Sequence, residues 1–102
     1  MGELRLAVKR KDLPEGKAMA LDVEGKMIAL FNINGRIFAI DDTCTHAEGP
    51  LSEGDVAGTT VTCPWHGAQF NIATGEALSE PACAGVKAYK VQIDGDDIKI
   101  EI

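Results

Sequence analysis

The sequence lacks any long apolar run and any excess of basic residues. No segment approaches the roughly 18 apolar residues of a membrane-spanning helix, and the first residues, MGELRLAVKRKDL, hold no apolar stretch as long as that of a signal peptide. Lys and Arg number 10 against 16 Asp and Glu, giving a net charge of −6. No basic stripe is therefore available to neutralise nucleic-acid phosphates. We expect a cytoplasmic protein that binds neither membranes nor nucleic acid.

Cysteine, histidine and aromatic residues are also scarce. The 102 residues include three Cys and two His, and only 5% are aromatic. Three cysteines cannot all pair with one another, and cytosolic thiols stay reduced, so a metal-binding or catalytic role is favoured over a disulfide framework. The length fits one domain, whose core must be built mainly from Val, Ile, Leu and Ala.

Helical periodicity is missing as well, because no apolar i, i+3, i+4 pattern persists for ten residues. The clearest element is a hairpin that joins Lys26–Ile33 to Arg36–Asp41 through Asn34-Gly35, a pair suited to the positive φ angles of a type I′ turn. The other predicted strands are Leu4–Val8, Lys17–Val23, Thr59–Cys63, Gln69–Ile72, Glu76–Leu78, Val86–Ile93 and Asp97–Ile102. The pattern predicts an all-β fold of antiparallel hairpins or a small barrel.

Both histidines lie within three positions of a cysteine, in the order Cys44-x-His46, sixteen residues, Cys63-x-x-His66. Each pair follows a predicted strand, so two adjacent loops would bring four ligands together. The residues leave three interpretations open: buried cysteines with surface histidines, a zinc site, or a [2Fe–2S] cluster in which two His replace two Cys on one iron. Zinc sites usually keep like ligands together, whereas here each loop offers one of each kind. The pattern therefore favours the cluster.

Two segments, CTHAEGPLSEG (44–54) and CPWHGAQFNIATGEAL (63–78), resemble the Rieske ferredoxin family. The similarity extends to the small ferredoxins of bacterial ring-hydroxylating dioxygenase systems of the biphenyl type. It implies a Rieske fold, in which an antiparallel β-sheet base domain is formed by residues 1–42 and 85–102. A small cluster-binding subdomain would be inserted at about residues 43–84.

The same resemblance implies which side chains hold the cluster. Cys44 and Cys63 would ligate the inner iron, and His46 and His66 the outer iron at the tip of the protein. Pro81 falls where the family has a proline loop that covers the cluster.

The function implied is that of a one-electron carrier without catalytic activity of its own. A monomer would take electrons from an NAD(P)H-dependent flavoprotein ferredoxin reductase and pass them to the Rieske centre of a terminal aromatic-ring-hydroxylating dioxygenase. Pro64, Trp65 and Pro81 would contact these partners. The alternatives are a Rieske-like small subunit of another oxidoreductase, such as nitrite reductase, and a zinc-stabilised interaction module.

The chain departs from the Rieske proteins of respiratory bc complexes at two pairs of positions. Gly49 and Trp65 stand where those proteins have the cysteines of an additional disulfide. Ala68 and Phe70 stand where they have Ser and Tyr hydroxyls bonded to the cluster and ligand sulfurs, so we expect a low potential for a Rieske centre. Cys83 lies outside both motifs and is expected to be an unpaired thiol that packs as a small apolar residue.

Overall fold

A computed structural model of the chain describes residues 4–42, 50–64, 67–78 and 85–101. Within these residues it contains ten β-strands in three antiparallel sheets, two 3-10 helices of three residues each, and no α-helix. The all-β prediction is confirmed. No helix in the described part of the chain is long and apolar enough to cross a membrane.

The strands are β1 (Leu4–Lys9), β2 (Ala18–Val23), β3 (Lys26–Ile33), β4 (Arg36–Asp41), β5 (Asp55–Ala57), β6 (Thr60–Thr62), β7 (Gln69–Asn71), β8 (Ala88–Tyr89), β9 (Val91–Asp94) and β10 (Asp97–Glu101). The two 3-10 helices are Arg10–Asp12 and Leu51–Glu53. The sheets have the strand orders β1-β10-β9, β2-β3-β4-β8 and β5-β6-β7. The four-stranded sheet is the central layer, as its side chains show.

Strand β3 explains why the sheets pack as they do. Its side chains alternate between two buried clusters, because successive residues of a strand point to opposite faces. Ile28 and Leu30 pack with Ile98 and Ile100 of β10 on one face. Ala29 and Phe31 lie in a second cluster on the other face, which includes residues of β6 and β7. The four-stranded sheet is therefore covered on both faces.

The predicted hairpin is present with the expected turn. Strands β3 and β4 pair from Ile33↔Arg36 to Ile28↔Asp41, and Asn34 and Gly35 have φ angles of 53° and 89°. Because β4 ends at Asp41, the hairpin delivers the chain directly to the segment that contains Cys44 and His46.

Three features differ from the sequence-based prediction. Val86–Ile93 is not one strand, because β8 pairs with β4 whereas β9 pairs with β10, and the chain changes sheets at Lys90. Of Glu76–Leu78, only Ala77 forms a bridge, to Phe70. In addition, β5 was not predicted, since its three residues are all exposed and carry no buried alternation.

Candidate metal centre

Of the four predicted ligands, the structure describes Cys63. The other predicted residues that lie outside the described part of the chain are Cys44, His46, Trp65, His66, Pro81 and Cys83. Cys63 directly follows β6 and is 2% exposed, and the next residue, Pro64, is exposed. Among the described residues no group of three or more Cys, His, Asp or Glu side chains is placed to hold a metal ion. Of the candidate site, the structure describes Cys63, Pro64 and the chain segments that lead into and out of the ligand loops.

The second ligand loop is closed at its base by two backbone hydrogen bonds. The Cys63 N–H donates to the Ala68 carbonyl at 2.7 Å, and the Gly67 N–H donates to the Cys63 carbonyl at 3.2 Å. Gly67 has a φ of 76°, a left-handed conformation that glycine adopts without strain. These contacts fold the chain back on itself within five residues and hold Cys63 in a fixed backbone geometry.

The ends of the first ligand loop meet at Asp42. Its carbonyl accepts a hydrogen bond from the Leu51 N–H at 2.6 Å, and its carboxylate accepts one from the Ser52 N–H at 2.8 Å. The Asp42 N–H donates to the Met27 carbonyl at 3.0 Å. Asp42 is only 6% exposed, so this buried carboxylate is stabilised by the hydrogen bond that it accepts. The segment between Asp42 and Leu51, which carries Cys44 and His46, therefore leaves and rejoins the fold at one place.

The bases of the two loops pack against each other. Leu51 and Cys63 belong to the same buried cluster as Val61 and Phe70, and these side chains are at most 2% exposed. Gly54 lies so close to β6 that a Cβ atom on it would be 2.2 Å from the Thr62 carbonyl oxygen. Only glycine allows this approach, which brings the end of the first loop beside the residue that precedes Cys63.

A third segment begins next to the second loop. The Leu78 N–H donates to the Gln69 carbonyl at 2.8 Å, one residue beyond Ala68. The chain returns where the Val86 N–H donates to the Gly75 carbonyl at 2.7 Å. The segment that contains Pro81 thus starts beside the strand that follows the second ligand loop.

Strand β8 is attached to the residue before Asp42. The Tyr89 hydroxyl donates to the Asp41 carboxylate at 2.6 Å, and the Lys87 N–H donates to its other oxygen at 3.3 Å. Burial of the ring, together with the hydrogen bond to Asp41, raises the pKa of the Tyr89 phenol above its ordinary value. Tyr89 therefore stays protonated and remains a donor at neutral pH.

Sequence reasoning missed Asp42 and Gly54 as supports of the site. Asp42 could have been suspected, because an acidic residue directly before a loop often accepts hydrogen bonds from backbone N–H groups. Gly54 gives no such signal, since its role depends on Thr62, which lies in another strand.

The donor set fits an iron–sulfur cluster with mixed ligands. The sequence places one thiol and one imidazole in each loop. In the structure the bases of the two loops pack together against one cluster of buried apolar side chains. Soft thiolate ligands and imidazoles both suit iron. The buried cluster of apolar side chains excludes water from the side of Cys63 that faces the core.

Comparison with known proteins agrees with this chemistry. The family model described as Rieske [2Fe-2S] domain matches residues 4–90. The chain is 38% identical over 96 residues to the naphthalene 1,2-dioxygenase system ferredoxin component of Pseudomonas aeruginosa, covering 94% of this chain and 92% of the relative. It is 42% identical over 92 residues to the 3-phenylpropionate/cinnamic acid dioxygenase ferredoxin subunit of Shigella flexneri, covering 89% and 86%. A chain in the solved complex of reduced oxygenase and oxidized ferredoxin in carbazole 1,9a-dioxygenase superposes with a TM-score of 0.89 at 26% identity, covering 96% and 92%.

Proposed function

Because the chain belongs to the Rieske [2Fe–2S] domain family, we propose that it carries single electrons from a flavoprotein ferredoxin reductase to the Rieske centre of a terminal ring-hydroxylating dioxygenase. The observation that carries the proposal is its identity of 38% and 42% to ferredoxin components of such systems over about nine tenths of its length. The chain is an electron-transfer component with one Rieske-type cluster and is not itself the catalyst.

The proposed ligands are Cys44 and Cys63 on the inner iron, and His46 and His66 on the outer iron. Support comes from the closed base of each loop and from the contact between the two bases at Gly54. We assign about residues 43–84 to the cluster-binding subdomain, because the small sheet β5-β6-β7 lies within this range and contains no other strand of the described residues.

When bound, the cluster accepts and releases one electron. The protein sets the reduction potential of the cluster through its ligands. Two neutral imidazoles in place of two thiolates remove two negative charges, which makes reduction easier. Rieske potentials consequently span about −150 to +300 mV, against about −400 mV for plant-type clusters. The buried side chains around Cys63 limit the access of water to this ligand from the core side.

Hydroxyl groups introduced beside the site should raise the potential. Ala68 and Phe70 are fully buried in the cluster of side chains that contains Cys63, and neither side chain can donate a hydrogen bond. A hydrogen bond to a charged group contributes about 1.5–3 kcal/mol, and 59 mV corresponds to about 1.4 kcal/mol for one electron. Ala68→Ser and Phe70→Tyr should each raise the midpoint potential in voltammetry, by at most roughly 60–130 mV.

A matched control is Ala57→Ser, a small change at an exposed residue. Ala57 pairs with Thr60, at the end of β6 farther from Cys63, so the midpoint potential should not change. A wild-type potential in the upper half of the Rieske range would contradict the expectation that the potential is low because residues 68 and 70 lack hydroxyl groups.

We propose that the chain is a cytoplasmic monomer. Each partner would contact it transiently, at the end of the protein that holds the cluster. A carrier must release each partner, so its contact area belongs at the low end of interface sizes. Pro64 is exposed directly after Cys63, and we propose that Pro64, Trp65 and Pro81 form the apolar part of the contact. A cytoplasmic location is proposed because the ligating thiols must stay reduced until they bind the cluster.

Reconstitution tests the proposed function. With a flavoprotein ferredoxin reductase and a terminal oxygenase of a ring-hydroxylating dioxygenase system, the wild-type chain should be reduced at the expense of NAD(P)H and reoxidised by the oxygenase, as followed by its visible absorbance. Trp65→Ala should slow transfer to the oxygenase by about tenfold, the effect of losing an interface aromatic worth about 1.4 kcal/mol, with an unchanged cluster spectrum.

Phe38→Leu, a large-to-smaller apolar change on β4, serves as the control for a general loss of packing. If the wild-type chain is not reduced by the reductase, or the reduced chain passes no electron to the oxygenase, the carrier function is wrong. Loss of the cluster from Trp65→Ala would instead make Trp65 a packing residue.

A further inference from the structure

A shallow cavity of about 360 Å³ opens where β3, the end of β4 and β8 meet. It is lined by Lys26, Met27, Asp41, Lys87 and Tyr89. Met27 is 44% exposed, and Lys26 and Lys87 are exposed as well, so the cavity is bordered by one apolar residue and two lysines. Mixed apolar and charged surface of this kind is usual in a transient protein–protein contact.

The lysines of this cavity are available to a partner. Within the described part of the chain, neither Lys26 nor Lys87 forms an ion pair, although the Lys87 ammonium lies 5.1 Å from the centre of the Tyr89 ring. The Asp41 carboxylate in the cavity already accepts hydrogen bonds from the Tyr89 hydroxyl and the Lys87 N–H. Three other basic residues are held against carboxylates, in the pairs Lys9–Asp97, Lys99–Asp94 and Arg5–Glu24. In the described part of the chain the remaining basic residues also form no ion pair, so the cavity is distinguished by holding two such lysines together.

The cavity lies beside the first ligand loop. The Met27 carbonyl accepts a hydrogen bond from the Asp42 N–H, and the Lys87 carbonyl accepts one from the Asp41 N–H. Asp42 precedes Cys44 by two residues, which limits their Cα separation to about 7 Å. A partner that approaches the proposed cluster end can therefore contact this cavity at the same time.

We propose that this cavity is where the terminal oxygenase docks, with a carboxylate side chain of the oxygenase placed between Lys26 and Lys87. This inference rests on the proposed function. A protein with a net charge of −6 repels acidic groups over most of its surface, whereas this cavity holds two lysines against the one carboxylate of Asp41. The oxygenase is the partner named in the solved carbazole dioxygenase complex that contains a similar chain. Complementary charges at such a site fix the orientation of the partners and raise the association rate.

The sign of a charge-reversal effect tests this site. Lys26→Glu/Lys87→Glu and the control Arg10→Glu/Lys11→Glu each replace two positive charges by two negative ones, so both variants carry −10 in place of −6. Arg10 and Lys11 are exposed on the first 3-10 helix, beside the β9–β10 turn. If overall charge alone governed encounter, both variants would change the rate in the same direction.

We expect them to differ. In stopped-flow measurements of electron transfer from the reduced protein to the oxygenase at about 20 mM salt, the cavity variant should be about tenfold slower than wild type. The control should equal or exceed the wild-type rate. The deficit should shrink at about 300 mM salt, where screening is stronger. Lys26→Gln/Lys87→Gln should show a smaller deficit in the same direction, and it serves if the reversed variant does not fold.

Three results would overturn the docking site: equal rates for the cavity and control variants, a deficit that does not depend on salt, or a deficit confined to reduction by the reductase. A visible spectrum and thermal midpoint equal to those of wild type show that Lys87 is not merely supporting Tyr89. If the wild-type protein itself transfers no electron to the oxygenase, the proposed function fails first, and the docking site fails with it.

Discussion

His66→Ala will abolish the Rieske-type EPR signal of the reduced protein. In the proposed site each iron has two protein ligands, so removal of one imidazole leaves the outer iron with a single protein ligand. The wild-type protein should contain two irons and two acid-labile sulfides per chain. His66→Cys should retain more cluster than His66→Ala, but at a lower potential, because a thiolate restores the charge that an imidazole lacks.

Cys83→Ala is the matched control, since Cys83 lies outside both ligand motifs. It should keep the full iron content and the wild-type signal. One zinc and no iron in protein from iron-replete cells would contradict the [2Fe–2S] cluster and the carrier function, and it would favour the zinc-stabilised module. Loss of cluster from Cys83→Ala would show that the two motifs do not contain the whole site.

Local patterns in the sequence were sufficient to predict the hairpin of β3 and β4. Asn34-Gly35 predicts a turn because the positive φ angles are a property of those two residues, and both angles are found. The apolar run in Lys26–Ile33 likewise marks a strand that is buried on both faces. These features depend on neighbours in sequence, so they can be read without knowledge of the rest of the fold.

Features that depend on distant partners were beyond such reading. The chain changes sheets at Lys90 because β8 pairs with β4, whereas β9 pairs with β10. Neither partner strand can be identified from the sequence of Val86–Ile93 itself. In the same way, the Cys and His spacing predicts two loops, but not the hydrogen bonds at Asp42 that close the first one.

Gly54 is another residue whose role depends on a distant partner, and its replacement should strongly lower the stability of the protein. Its φ and ψ of −78° and 170° are extended values that alanine adopts without backbone strain. The obstacle is steric, because the added Cβ would lie 2.2 Å from the Thr62 carbonyl oxygen and 3.0 Å from a Val61 methyl group. The clash is with backbone, so the second 3-10 helix and β6 must separate.

We expect Gly54→Ala to lower the free energy of unfolding by about 2–3 kcal/mol, in the range found for overpacking. For a domain of this size the thermal midpoint should fall by roughly 10–20 °C. Separation of the two loop bases should also reduce the iron bound per chain, since the first loop rejoins the fold at Leu51 and the second begins at Cys63.

Gly58→Ala separates this steric effect from the general cost of replacing a glycine. Gly58 has a φ of 60° and no atom within 4 Å of the position that its Cβ would occupy. That variant should lose about 1 kcal/mol, the cost of a left-handed conformation, and it should keep its iron. Circular dichroism melts and iron analysis of both variants decide the matter. If Gly54→Ala melts no lower than Gly58→Ala and binds two irons, the contact between the loop bases does not hold the site together.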